Sequence, residues 1–175
     1  MSSFAFDLAT VSTGLLLGRL VLGLLMAAHG SQKLFGWLGG HGLDGTGGYF
    51  ESLGFRPGRT FALAAGLAEF GGGLLIALGL LGPIGPALVV SVMIVAALTV
   101  HREGGLFAMN NGIEVPLLYA AGAVALAFTG PGAYSLDALL GLEALWAPEV
   151  ALTAIALGVL AGVVNLLVRR MPVTA

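Results

Sequence analysis

The chain contains no cysteine, and only 9% of its residues are charged. The first absence excludes disulfides, thiolate metal ligation and thiol-relay redox chemistry. The second excludes the solvated surface that an ordinary soluble domain of 175 residues needs. The few charges nearly cancel, at a net −2, so nothing here favours nucleic acid. The three histidines lack the spacing of a ligand motif, and no metal site is expected. What the chain has in quantity is apolar surface, 58% hydrophobic residues and a mean hydropathy of +1.01. Runs this long and apolar read as membrane spans. The opening MSSFAFDLAT has neither the basic flank nor the small-residue cleavage site of a signal peptide, so it is expected to stay in the mature protein.

Apolar runs cover residues 12–35, 60–82, 86–102, 114–129 and 149–168. A hydrocarbon core takes about 20 helical residues. The first, second and fifth runs meet that length, and the third and fourth borrow flanking polar residues. Pro86, Pro116 and Pro148 stand near the starts of the last three, where a missing N–H costs no helical bond. The expected architecture is all-α: a polytopic membrane bundle with a four-helix module over 1–141. Residues 142–175 add a fifth transmembrane helix and a basic tail. If the N-terminus is outside and the C-terminus inside, Lys33, Arg56, Arg59, Arg102, Arg169 and Arg170 all fall on the cytoplasmic face. External segments then carry only Asp7, Asp137, Glu143 and Glu149, as the positive-inside rule predicts. Four spans remain the alternative if the last run lies along the surface, although only Asn165 interrupts its apolar residues. The small-xxx-small pairs Gly14/Gly18 and Gly158/Gly162 are candidate helix contacts, at even odds with chance among 29 glycines.

Two charges, Arg19 and Glu69, fall inside spans, where an ionised group is costly and finds a partner inside the bundle. At about 1.5 Å per helical residue, Glu69 lies about 14 Å, His29 about 9 Å and Arg19 about 24 Å from the cytoplasmic end. His29 is the better match in depth, and the imidazole is expected to meet the carboxyl. Arg19 either reaches down to Glu69 or snorkels outward. Gln32, Lys33, His101, Glu114 and Tyr119 share the cytoplasmic leaflet and, with His29 and Glu69, suggest one pocket ringed by four spans. Each alone has a plainer reading: an interface charge, a helix N-terminal acid or a belt aromatic. The glycine-rich loop 36–59 carries Trp37, Tyr49 and Phe50, aromatics suited to a short interfacial helix capped by Thr46 and lying over the pocket as a lid.

The stretches HGSQKLFGW, GLDGTGGYFESLGFRPGR, AGLAEFGGGLLIALGLLGPIGP, VHREGGLFAMNNGIE and FTGPGAYSLDALLG together resemble the DoxX family of small bacterial membrane proteins, over residues 12–141. The resemblance implies a four-helix module in the bacterial inner membrane. It also implies company with redox enzymes: some relatives are subunits of thiosulfate:quinone oxidoreductase. Mycobacterial members associate with a membrane oxidoreductase complex that includes superoxide dismutase and a thiosulfate sulfurtransferase. His29, Lys33, Glu69, His101 and Glu114 match the family's recurrent polar positions. The fifth segment departs from the pattern.

Three functions follow. A quinone-linked oxidoreductase subunit would hold a menaquinone or another quinone by a histidine and a carboxylate, His29 and Glu69 first, with electrons from a partner. A non-catalytic scaffold would use the basic inner face to anchor soluble or membrane oxidoreductase subunits. A transporter would move a small lipid or solute past Glu69. Beyond the lipid bilayer no partner is named by the residues, and a homo-oligomer stays open.

Overall fold

The computed structural model describes residues 7–170. Residues 1–6, which hold most of the MSSFAFDLAT segment, and the tail 171–175 lie outside the described residues. Seven α-helices follow in order: α1 (Leu8–Phe35), α2 (Gly42–Ser52), α3 (Gly58–Leu78), α4 (Ile84–Ala96), α5 (Glu114–Thr129), α6 (Leu136–Leu140) and α7 (Pro148–Leu167). α4 continues through a π-helical turn, Ala97–His101, and a 3-10 turn to Gly104. The boundaries have local causes. Asp7 caps α1, accepting from Ala9 N at 3.4 Å, and Gly36 stops it at φ +71°. Gly79 ends α3 at φ +62°, and Pro148 opens α7 at a position that needs no donor.

Four of these helices are long and apolar enough to cross a membrane: Leu8–Phe35, Gly58–Leu78, Ile84–Gly104 and Pro148–Leu167. α5 is apolar but only 16 residues long. At about 1.5 Å per residue it covers about 24 Å, short of a hydrocarbon core of about 30 Å. The expected fourth span is therefore a shorter apolar helix than its neighbours.

Glycine decides which faces meet. α1 and α3 run antiparallel with their backbones in contact. A Cβ on Gly23 would come 2.6 Å from Ala77 N, and one on Gly30 would come 2.7 Å from Gly66 O. α3 meets α4 near their shared turn, where a Cβ on Gly85 would lie 2.8 Å from Gly72 O. α7 packs along α4 through Gly158, whose Cβ would fall 2.5 Å from Ala87 O, and Gly162, opposite Ser91 and Ile94. So the Gly158/Gly162 pair is a helix contact. Gly14 and Gly18 are not, since a Cβ on either meets nothing within 4 Å. Met26, Ile76, Val89, Val90, Met93, Ala123 and Leu126 fill the centre of the bundle.

The end of the bundle that carries the α3–α4 turn is closed by polar side chains. Asp137 is fully buried, and its carboxylate accepts from Leu81 N at 3.0 Å, Gly82 N at 2.8 Å and Trp146 Nε1 at 2.8 Å. Arg19, 1% exposed, donates to Ala77 O at 3.4 Å and to Tyr134 O. This corrects both expectations for Arg19. It neither pairs with Glu69 nor snorkels outward, because the nearest unmet acceptors are the last carbonyls of α3 and an irregular segment that needs donors at that depth. At the opposite end lie α2, the α4–α5 loop, the end of α7 and the basic residues Lys33, Arg56, Arg59, Arg102, Arg169 and Arg170.

Candidate ligand-binding site

α3 and α4 touch near their turn and spread apart toward the basic end, and the space between them is a cavity of about 490 Å³. Small side chains on one face of α3, Ala64, Ala65 and Ala68, leave the room. α4 supplies the facing wall with Ser91, Val95 and Thr99, in part from its π turn, a backbone irregularity common at functional sites. α2 closes the third side with Thr46, Tyr49 and Phe50, and α7 adds Asn165. Phe50, Phe55 and Phe61 form a tilted aromatic row, with ring centroids 6.0 and 5.3 Å apart.

Glu69 stands at this cavity, 3% exposed, with Lys33 Nζ 2.6 Å from its Oε2. The ammonium is the counter-charge of the carboxylate and lies within donor distance of Oε2. A buried carboxylate with a near cation is tolerable at membrane depth.

The expected pocket residues divide. Gln32, Lys33, Glu69 and His101 line the cavity. His29 does not: it is exposed, with its ring edge-on to Tyr119 at 6.0 Å, and Tyr119 is likewise off the cavity. The expectation that His29 meets Glu69 is thus corrected. Gly23, Ala27 and Gly30 set the face of α1 that α3 covers. At about 100° per residue His29 is turned off that face, and Lys33, a turn further on, takes the carboxyl instead. Glu114 serves the α4–α5 loop, accepting from Ala108 N at 2.8 Å, while His101 Nδ1 lies 3.0 Å from Asn111 O. Of the lid aromatics, Tyr49 and Phe50 line the cavity, whereas Trp37 lies outside it against Phe35, centroids 4.7 Å apart. The lid helix begins at Gly42, so Thr46 sits inside it and is not its cap.

Sequence reasoning missed His41, Ser91, Thr99 and Phe61 as lining residues. It noted Asn165 as a lone polar residue in an apolar helix, which was signal enough to place it at a cavity. The lid is tied down from α7: Arg170 N donates to Gly54 O at 2.8 Å and the Arg169 guanidinium donates to Leu53 O.

A helical membrane bundle with a cavity at its basic end is the class that these features define. A sequence model of the DoxX family matches residues 14–102, about half of the chain. The inner membrane protein YqjF of Escherichia coli (strain K12) is 35% identical over 132 residues, 73% of this chain and 92% of that protein. The chain belongs to the DoxX family and is a multi-pass protein of the inner membrane. No solved structure matches it.

Proposed function

We propose that this protein is the quinone-binding membrane subunit of an oxidoreductase, with the ring held in the α2–α3–α4 cavity at the cytoplasmic end. The observation that carries the reading is the Lys33–Glu69 pair, 2.6 Å apart with the carboxylate 3% exposed, at a cavity walled by Tyr49, Phe50, Phe55 and Phe61. The residues fit a ring with polar edges. The volume of about 490 Å³ lies in the usual range for such ligands, and a few polar groups converge on a mostly apolar wall. The basic residues gathered at this end favour the cytoplasmic side for it.

A bound quinone supplies the two-electron carrier that the side chains lack. The chain's own residues bind and orient it: Lys33 and Glu69 fix the polar edge, the aromatic row covers the ring, and α2 keeps water out. With no cysteine in the sequence, the chain offers no thiol relay, and in this reading electrons come from a partner. The full-length protein, purified from its own membranes and extracted with solvent, tests this. About one quinone per chain is expected, and the amount falls to background in Glu69→Gln. Background levels in the unaltered protein would end the reading.

A scaffold reading draws on one observation. The self-bonded α4–α5 loop presents Leu106, Phe107 and Met109 outward, at 52%, 59% and 89% exposure, beside Arg102. Capture of soluble redox enzymes that survives Met109→Asp would remove it.

A further inference from the structure

The α4–α5 loop ends in a small apolar tip. Gly105 turns the chain out of the α4 span at φ +75°, and Leu106, Phe107 and Met109 stand exposed beyond it. Large apolar side chains gathered on an exposed tip mark contact with a partner protein or with a membrane. The tip is not a slack connector. The N–H groups of Gly105, Ala108 and every residue from Asn110 to Glu114 donate within the segment from Arg102 to Glu114, and Phe107 O accepts twice. His101 adds a ring nitrogen 3.0 Å from Asn111 O. In water such bonding is optional, whereas irregular backbone at lipid depth has to satisfy itself.

Its position favours the membrane. Ile113 N donates to Gly105 O at 3.0 Å and Glu114 N to Leu106 O at 2.9 Å, which fastens the start of α5 beside the start of the loop. α5 exposes Val115, Leu117 and Leu118 over its first turn, and such side chains on a membrane helix face acyl chains. The lipid-facing surface of α5 therefore begins at the level of Leu106. α5 also covers only about 24 Å of a hydrocarbon core of about 30 Å, a shortfall of about 6 Å. Arg102 is exposed at the end of the α4 span, where a basic side chain suits lipid phosphate. We infer that the tip is a membrane anchor: Leu106, Phe107 and Met109 enter the leaflet at the basic end of the bundle and extend the apolar height of α5, with Arg102 at the level of the lipid phosphates. Apolar faces seated at this boundary reach about 5–10 Å into it, which matches the missing height. The inference does not depend on what the cavity holds. A tip held among lipids leaves no face for soluble redox enzymes, so it excludes the docking role that the scaffold reading gives to the same side chains.

The test uses the full-length protein in vesicles of phosphatidylethanolamine and phosphatidylglycerol. Because the chain has no cysteine, Met109→Cys and Phe107→Cys each carry a single thiol for a fluorescent dye. Both side chains are exposed, so neither change disturbs the core. Acyl chains brominated near the headgroup end are expected to quench both dyes about as strongly as a dye at Leu118→Cys, on the lipid-facing side of α5. Iodide, present on both sides of the vesicle, is expected to spare them. A dye at either tip position that brominated chains leave unquenched would overturn the inference; if iodide quenches it as well, the tip stands in water, open to a soluble protein.

Discussion

Lys33 and Glu69 meet 2.6 Å apart across the α1–α3 contact, beside the close backbone approach of Gly30 to Gly66 and Phe70. The pair exists because α1 and α3 lie backbone to backbone, which leaves no room for water between a cation and a carboxylate at that depth. Arg19 solves the same problem at the other end with backbone carbonyls.

The glycines of the α1–α3 seam are not interchangeable with those on the outer face. Gly30→Ala puts a methyl 2.7 Å from Gly66 O, and overpacking of this kind is expected to destabilise the protein by about 2 kcal/mol. Gly18→Ala meets nothing within 4 Å, and its change is expected within about 0.5 kcal/mol. Thermal unfolding of the two variants in one detergent makes the comparison.

Asp137→Ala strands three donors, Leu81 N–H, Gly82 N–H and the Trp146 indole N–H. Each unmet buried donor costs about 1–3 kcal/mol. The variant should lose about 10 °C in unfolding midpoint at the usual scaling for a chain of this size. Asp137→Asn, which keeps one acceptor oxygen, should fall between the two.

The lid is fastened by the end of α7, so loosening that fastening should open the cavity. Gly54 has φ +92°, and a Cβ there would come 2.7 Å from Arg170 O; Gly54→Ala is therefore expected to break the Arg170–Gly54 bond. Because the chain has no cysteine, Ala68→Cys places a single thiol at the cavity wall. Its reaction with a water-soluble maleimide should speed up about tenfold in Gly54→Ala, equivalent to about 1.4 kcal/mol in the closed–open balance. Leu139→Cys, 79% exposed at the far end, should react at the same rate in both backgrounds. An unchanged rate for the thiol on the cavity wall would show that α7 does not hold the lid.

The long spans, the gathering of basic residues at one end and the short aromatic helix after the first span were legible in sequence, because hydropathy, charge and aromatic content are properties of composition along the chain. Rotation was not. His29 and Lys33 stand a turn apart on α1, and which of them meets Glu69 depends on which glycines α3 covers. A chain with 29 glycines does not announce that choice. The partners of Arg19 were hidden for another reason: they are backbone carbonyls, which every residue has.

Equilibrium binding of a short-chain menaquinone analogue to three purified proteins, the unaltered chain, Glu69→Gln and His29→Ala, tests the account most directly. Glu69 lines the cavity and His29 does not. The prediction is a loss of about tenfold or more in affinity for Glu69→Gln, which removes the charge that holds the Lys33 ammonium where it donates to the ring carbonyl, and none for His29→Ala. Loss of binding in His29→Ala with full affinity in Glu69→Gln would place the ligand on the α1–α5 side of the bundle and contradict the account.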